Sequence, residues 1–448
     1  MRSKLYHHSI FDATDHVPSW WVQSAPAFTA TDESLPPEVV EVAIIGGGYT
    51  GLSTAYHLAK FHNIQSHVLE AGPIGWGASG RNGGFCAPFP TALGFQDLQR
   101  KYGDDETRRF VASQVEAVHR VREIARDENY SIDSQGEGVW CVAHSPKVYR
   151  ALEDAAAGYQ HFGIKSTVLS GDAFGAEVHH STEQFGGMWQ EAGFGLHPMK
   201  AARGLAQAAQ TAGAKLHEKC AVTAWQKQGA VHVLETEKGV IRANSVIIAT
   251  NGFSPEGLMP PITKNVVPLL SNIIVTRPLS EDEVAAQNWQ TETPIHNTRN
   301  LLFYYRMLPG NRFLFGGRGD MTGTPRAGEK MRALLTRQLG EVFPAWKTAE
   351  ITHFWRGLVC MARNMTPAMG RLPDDPSVLF ALAYHGDGVA ASHGAGQLLA
   401  DILAGRKMET DIPLPMRGPP QNLPIPSLKR WYLRASLGYY AFQDFMSR

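Results

Sequence analysis

Three glycines set the first chemical possibility in this chain. Gly46, Gly48 and Gly51 fit G-x-G-x-x-G directly after the apolar run Val42-Ala43-Ile44-Ile45, and Leu52, Ala55, Leu58 and Ala59 follow at helical spacing. Strand, tight turn and helix make a dinucleotide site. Gly46 permits the turn, Gly48 lets backbone amides approach a pyrophosphate, and Gly51 allows the helix to pack closely, so a diphosphate sits on the positive end of that helix. A second apolar run ends at Val68-Leu69-Glu70. That is roughly the ~20-residue spacing at which a carboxylate receives a ribose 2′-hydroxyl and repels a 2′-phosphate.

Two further stretches could complete such a site. Gly72 to Phe85 is too glycine-rich for a core element and too long for a simple turn. Its segment Ser79-Gly80-Arg81-Asn82-Gly83-Gly84 could lie along a pyrophosphate and a flavin edge, with Arg81 and Asn82 as donors. Late in the chain, the apolar run 378–383 leads into Tyr384-His385-Gly386-Asp387-Gly388-Val389 and a helix. Gly386 and Gly388 let backbone approach a planar ring, and the positive end of that helix would stabilise negative charge on a reduced flavin. A nicotinamide-linked flavoenzyme would need one glycine motif per nucleotide, and no second convincing G-x-G-x-x-G occurs, so FAD is the favoured cofactor.

Bulk properties narrow the field. The 448 residues carry 42 Lys plus Arg against 42 Asp plus Glu, so no global field draws nucleic acid or an anionic membrane. Cys86, Cys141, Cys220 and Cys360 lack C-x-x-C or zinc spacing, which reads as reduced thiols, a cytoplasmic setting and no metal. No stretch approaches the ~20 apolar residues of a membrane span. The expected partners are therefore a small molecule and, at most, copies of the same chain, as a monomer or small homo-oligomer.

The elements that must position these residues alternate in a particular way. A polar helical stretch (95–130), a strand at 139–142 and an alanine-rich helix opened by His197-Pro198-Met199 are followed by a small meander that returns to the strand 246–249. Leu302 to Arg306 and Arg312 to Gly317 read as a hairpin turning at Pro309-Gly310-Asn311. A helix at 326–342 follows. We expect an α/β chain, α+β overall: a discontinuous Rossmann-like FAD-binding domain (38–95, 193–258 and 355–410) with an inserted antiparallel-sheet substrate domain (96–192 and 259–354). Residues 1–37 read as an irregular arm pinned by Trp20 and Trp21, and 411–448 as a strap and helix.

The order of Ile44 to Gly51, Gly77 to Gly84, Leu196-His197-Pro198, Tyr304-Tyr305-Arg306, Asn311 to Gly317 and Gly388-Val389 resembles the D-amino acid oxidase superfamily of FAD enzymes, and within it the bacterial gamma-glutamylputrescine oxidases, over roughly residues 38–405. The resemblance implies two-electron oxidation of an amine C–N bond, an imine hydrolysed to a carbonyl, and oxygen reduced to hydrogen peroxide. It adds Tyr49, Thr50, Ala71, Val222, Ala249, Thr250 and Gly252 to the expected cofactor contacts. Tyr304 falls on the substrate-contacting Tyr of glycine and D-amino acid oxidases, whereas their carboxylate-clamping Arg falls on Val359. A simple α-amino acid is thereby disfavoured.

Arg306, on the same strand face as Tyr304, is the candidate for an anionic tail or else a salt bridge on the sheet. His385 is the candidate proton acceptor or a hydrogen-bonded wall. Cys360-Met361 resembles the flavin-linking Cys-Met of sarcosine oxidases, but the spacing to Thr366-Pro367 is off by one, so non-covalent FAD is expected. The alternatives are a dehydrogenase of the same fold that passes electrons to a quinone or carrier, or a protein whose FAD is structural.

Overall fold

The structure, a computed structural model, describes residues 5–14, 16–30, 34–254 and 257–447. Positions 1–4, 15 and 31–33 of the expected arm, and 255, 256 and 448, lie outside the described residues.

The opening strand Val39–Ile45 ends in four buried apolar residues. It pairs in parallel with Ser66–Leu69 on one side and Gly239–Ile248 on the other. Asp375–Leu382 continues the sheet in parallel beyond Gly239–Ile248, and Lys215–His217 closes the far edge. Strands separated by more than three hundred residues thus share one sheet, because each is apolar on both faces and must be covered twice. The helices Tyr49–His62, Pro198–Ala212 and Gly388–Leu403 supply one cover, with Val42, Ile44, Leu52, Leu205 and Leu399 all buried in a common core. Ala43, Ile45, Leu234 and Ile241 form the core on the other face, beneath the meander Val222–Gln228 and Val231–Thr236.

Local signals fix the ends of these helices. Pro198 occupies the first turn of its helix, the His197 ring accepts from the Lys200 amide, and Gly213 closes the C-terminus at φ 114°.

The second sheet runs Ile351–Ala362, Val266–Pro278, Arg312–Arg318, Phe303–Leu308, Ile295–Asn297, Val139–Val142, Gly186–Gln190 and Ser166–Ser170. Gly310 and Asn311 turn its central hairpin, both at positive φ. One face buries Phe303, Tyr305, Phe313, Phe315 and Trp346 under the helix Pro325–Val342. The alternate face, which carries Tyr304, turns toward the first sheet.

Two expected boundaries move. The helix Asp104–Asp127, expected in the substrate domain, packs Phe110, Ala117, Val118, Val121 and Ile124 into the core of the dinucleotide-binding sheet. The apolar stripe of a helix says that it is covered and not by what. Residues 355–362, expected in the FAD-binding domain, belong to the strand Ile351–Ala362, which pairs along its length with Val266–Pro278, from Val266 opposite Ala362 to Thr276 opposite Ile351.

The termini brace the junction between the sheets. Trp21 is 1% exposed and donates its indole N–H to the Asn82 carbonyl at 2.9 Å. The C-terminal helix Lys429–Met446 buries Leu433, and its Asp444 accepts from the Asn300 and Leu301 amides. Among the described residues no helix is long and apolar enough to cross a membrane, and no group of His, Cys, Asp and Glu could hold a metal ion.

Candidate active site

A single elongated cavity runs from the Gly46–Thr50 turn to the face of the second sheet. At its inner end the helix Tyr49–His62 has Gly48 as its N-cap, with no side-chain cap of its own. The Tyr49 amide donates to Ser79 Oγ at 2.9 Å, which brings the glycine-rich loop over the helix N-terminus. A Cβ on Gly48 would lie 2.9 Å from the same hydroxyl, and one on Gly46 would lie 2.8 Å from the Ala249 carbonyl oxygen. The positive end of a helix whose own turn residues Gly46, Gly47 and Gly48 carry no side chain suits a diphosphate. Glu70 stands at the end of Ser66–Leu69, where its carboxylate accepts from the Gly47 amide at 2.6 Å and the Gly72 amide at 3.0 Å. Burial pushes its pKa up, and these two amides oppose the shift. Ala71, Val222, Ala249 and Thr250 line the wall beside it.

The outer end is made by the turn after Asp375–Leu382. His385 takes φ 53° and Gly386 φ 119°, so the chain reverses sharply before the helix Gly388–Leu403 begins. Gly386, Asp387, Gly388 and Val389 line the cavity. The His385 Nε2 lies 3.2 Å from the Thr366 carbonyl, while its buried Nδ1 has no hydrogen-bond partner among the described residues. Burial pushes this imidazole down to about 4, so it is neutral at neutral pH. Burial pushes the Asp387 carboxyl up to about 7, against the pull of Arg318.

The second sheet supplies the facing wall. Tyr304 lies across Gly316, where a Cβ would be 2.2 Å from its ring, and against Gly83, where one would be 3.0 Å away. Its hydroxyl is 2.7 Å from Ser271 Oγ. Burial pushes the phenol up to about 12.

Several expected contacts fall elsewhere. Arg306 is 1% exposed and does not line the cavity. It donates to the Gly83 carbonyl, the Leu196 carbonyl and Gln135 Oε1, which ties the glycine-rich loop to the sheet. Arg306 does share a strand face with Tyr304, but at that rung the face is covered by the loop. Gly84 and Gly252 also stand off the cavity. A Cβ on Gly84 would meet the Leu196 carbonyl at 2.2 Å, and one on Gly252 would meet Leu358 at 3.1 Å, so both glycines serve packing. Gly51 likewise contacts Gly46 and not the cavity: a Cβ there would lie 2.0 Å from the Gly46 carbonyl oxygen. Arg81 and Asn82 do line the cavity, but their donors serve the protein. Arg81 binds the Trp76 and Arg356 carbonyls, and Asn82 binds the Ala78 and Ser79 carbonyls.

Sequence reasoning missed Ser271, His296, Leu302 and Arg318, all on the cavity. His296 pairs with Tyr304, Tyr304 with Gly316, and Ser271 with Arg318 across the antiparallel sheet. The alternation of the hairpin carried the signal for Arg318, two residues beyond Gly316.

A family model described as "DAO: FAD dependent oxidoreductase" matches residues 41–402. The chain belongs to this family. It is 32% identical over 394 residues to gamma-glutamylputrescine oxidoreductase of Escherichia coli K12, covering 88% of this chain and 90% of that protein. It is 25% identical to the glycine oxidase of Geobacillus kaustophilus, over 83% of this chain and 95% of the other. The L-proline dehydrogenase of P. horikoshii superposes with a TM-score of 0.68 at 19% identity, covering 90% of this chain and 99% of that one, and shares the fold. As a DAO-family member the chain is an FAD-dependent oxidoreductase acting on amine or amino acid C–N bonds. The helix N-terminus at Gly48, the acceptor carboxylate of Glu70 and the unpartnered His385 Nδ1 form a set of polar groups that fits FAD along the cavity.

Proposed function

We propose that this enzyme oxidises the C–N bond of a primary or secondary amine with a polar tail, of the gamma-glutamylputrescine kind, giving an imine that hydrolyses to a carbonyl, with oxygen reduced to hydrogen peroxide. The observation that carries the reading is the composition of the wall around Tyr304. Val359 lines the cavity there with an apolar side chain, so no guanidinium projects from that position to clamp the carboxylate of a simple α-amino acid. Identity to the Escherichia coli gamma-glutamylputrescine oxidoreductase supports the same substrate class.

Bound FAD supplies the two-electron acceptor. In this reading Gly48 and Thr50 hold its diphosphate end and Gly386 to Val389 its ring end. Tyr304, kept as a neutral phenol and fixed by Ser271, orients the amine by hydrogen bonding. His385 forms an uncharged wall, so it does not repel an incoming cation. Asp387, whose carboxyl titrates near neutrality, takes the ammonium proton, which frees the nitrogen lone pair. Cys360 also lines the cavity, and burial pushes its thiol up to about 12. A neutral thiol is a poor nucleophile, which supports non-covalent FAD.

The test is stoichiometric. With gamma-glutamylputrescine as substrate, one peroxide is expected for each amine consumed. Turnover that requires a dye acceptor and yields no peroxide would instead favour the dehydrogenase alternative.

A further inference from the structure

The arginines around the cavity differ in what holds them. Arg306 binds two carbonyls and a carboxamide. Arg81 binds two carbonyls and lies 4.2 Å from the Trp76 ring centroid. Arg356 is paired with Asp320 at 3.0 Å. Arg318 has five N–H groups. Among the described residues it makes one hydrogen bond, a 3.4 Å contact from Nη1 to the Asn300 carbonyl, and no ion pair. A guanidinium partly withdrawn from water and so sparsely met is stabilised when a ligand brings an anion.

Its place in the sheet defines which anion could reach it. Arg318 lies opposite Ser271, and Ser271 bonds Tyr304, so the guanidinium is one rung from the tyrosine on the same face. Its Nη2 lies 3.4 Å from where a Cβ on Gly386 would stand. Gly386 is exposed and Leu302 partly so, which puts this rung at a solvent-open part of the cavity. Asp387, Tyr304, Tyr440 and the two imidazoles of His296 and His385 face Arg318 electrostatically. Asp387 stays beyond ion-pair distance and leaves the guanidinium fork available.

We propose that Arg318 receives a carboxylate on the part of the substrate remote from the oxidised C–N bond, so that the enzyme selects amines with an anionic tail. This rests on the amine-oxidising reading of the site. It moves anion recognition from Arg306 to the mouth of the cavity, at a position other than 359. A planar fork matches a carboxylate in two parallel hydrogen bonds, which a lysine cannot do.

The test uses FAD-loaded enzyme and a matched pair of probes, gamma-glutamylputrescine and its α-carboxamide. Apparent Kd values come from anaerobic flavin bleaching followed by stopped flow. Wild type should bind the acid about 30-fold more tightly than the amide, the strength of a charge-assisted pair. Arg318→Gln should collapse that ratio to about one, and Arg318→Lys should keep part of it. Calorimetry with N-propylglutaramate, which has the carboxylate and no amine, should show about 30-fold weaker binding to Arg318→Gln than to wild type.

Equal affinity of wild type for acid and amide would overturn the proposal, even if the variant cannot be purified. Equal weakening of both probes by Arg318→Gln would overturn it as well. If neither amine bleaches the flavin, the amine-oxidising reading fails, and calorimetry still decides the carboxylate site.

Discussion

Gly51→Ala is the sharpest perturbation available, because it adds one methyl group where the fold has no room. The new Cβ would lie 2.0 Å from the Gly46 carbonyl oxygen and 3.2 Å from Ile44 Cγ2, whereas ordinary contacts begin near 3.4 Å. The clash partner is backbone in the turn and cannot rotate away. To gain the missing distance, about 1.4 Å, the helix Tyr49–His62 must lift off the opening strand. Overpacking of well-fitted sites costs typically about 1–3 kcal/mol, and an unyielding carbonyl puts this site at the upper end.

If the lost fit falls on the diphosphate cradle, about 3 kcal/mol corresponds to a roughly 100-fold weaker FAD Kd. The assay is titration of apoprotein with FAD, followed by flavin fluorescence, alongside thermal unfolding. Gly438→Ala is the control. It lies in the helix Lys429–Met446 with open space where its Cβ would be, and alanine there should leave FAD binding unchanged and hold or raise the Tm. Wild-type FAD affinity and Tm in Gly51→Ala would refute the close-packing argument.

Three further outcomes are expected. Tyr304→Phe removes the hydroxyl bonded to Ser271 and should lower kcat/KM by about tenfold with FAD content intact; unchanged kcat/KM removes the hydroxyl from the reaction. In wild type, kcat/KM should rise with pH through about 7 as Asp387 loses its proton and becomes able to accept one. Asp387→Asn should abolish that limb, and an unaltered profile would assign it to another group. Arg306→Leu should strand three buried acceptors and lower stability by about 3 kcal/mol or more, visible as a lower Tm; a normal Tm would contradict its role as a brace.

The glycine turn was legible because its three glycines stand at fixed spacing within one strand, turn and helix, although only Gly51 meets a neighbour inside the turn, Gly46, whereas Gly46 and Gly48 meet Ala249 and Ser79, distant in sequence. Glu70 and Tyr304 were legible for a related reason, one lying at a strand end and the other on an alternating hairpin. Arg306 and Arg318 show where the reading stops. Both stand two residues from a position on the Tyr304 face, one on each side of the hairpin, and alternation alone cannot say which rung the loop 79–84 will cover. That depends on Trp21 and Leu196, distant in sequence. The helix Asp104–Asp127 failed for the same reason, since its apolar stripe is compatible with either sheet. Gly84 and Gly252 looked like cofactor glycines because a backbone approaching backbone needs the same residue as a backbone approaching a ligand.

The most direct test of the account is anaerobic mixing of FAD-loaded enzyme with gamma-glutamylputrescine, putrescine, an N-methyl amino acid and glycine, with the flavin absorbance followed in time. Rapid and complete bleaching by gamma-glutamylputrescine, with slow or no bleaching by glycine, is the predicted result. Bleaching by glycine and not by any amine with a polar tail would contradict it.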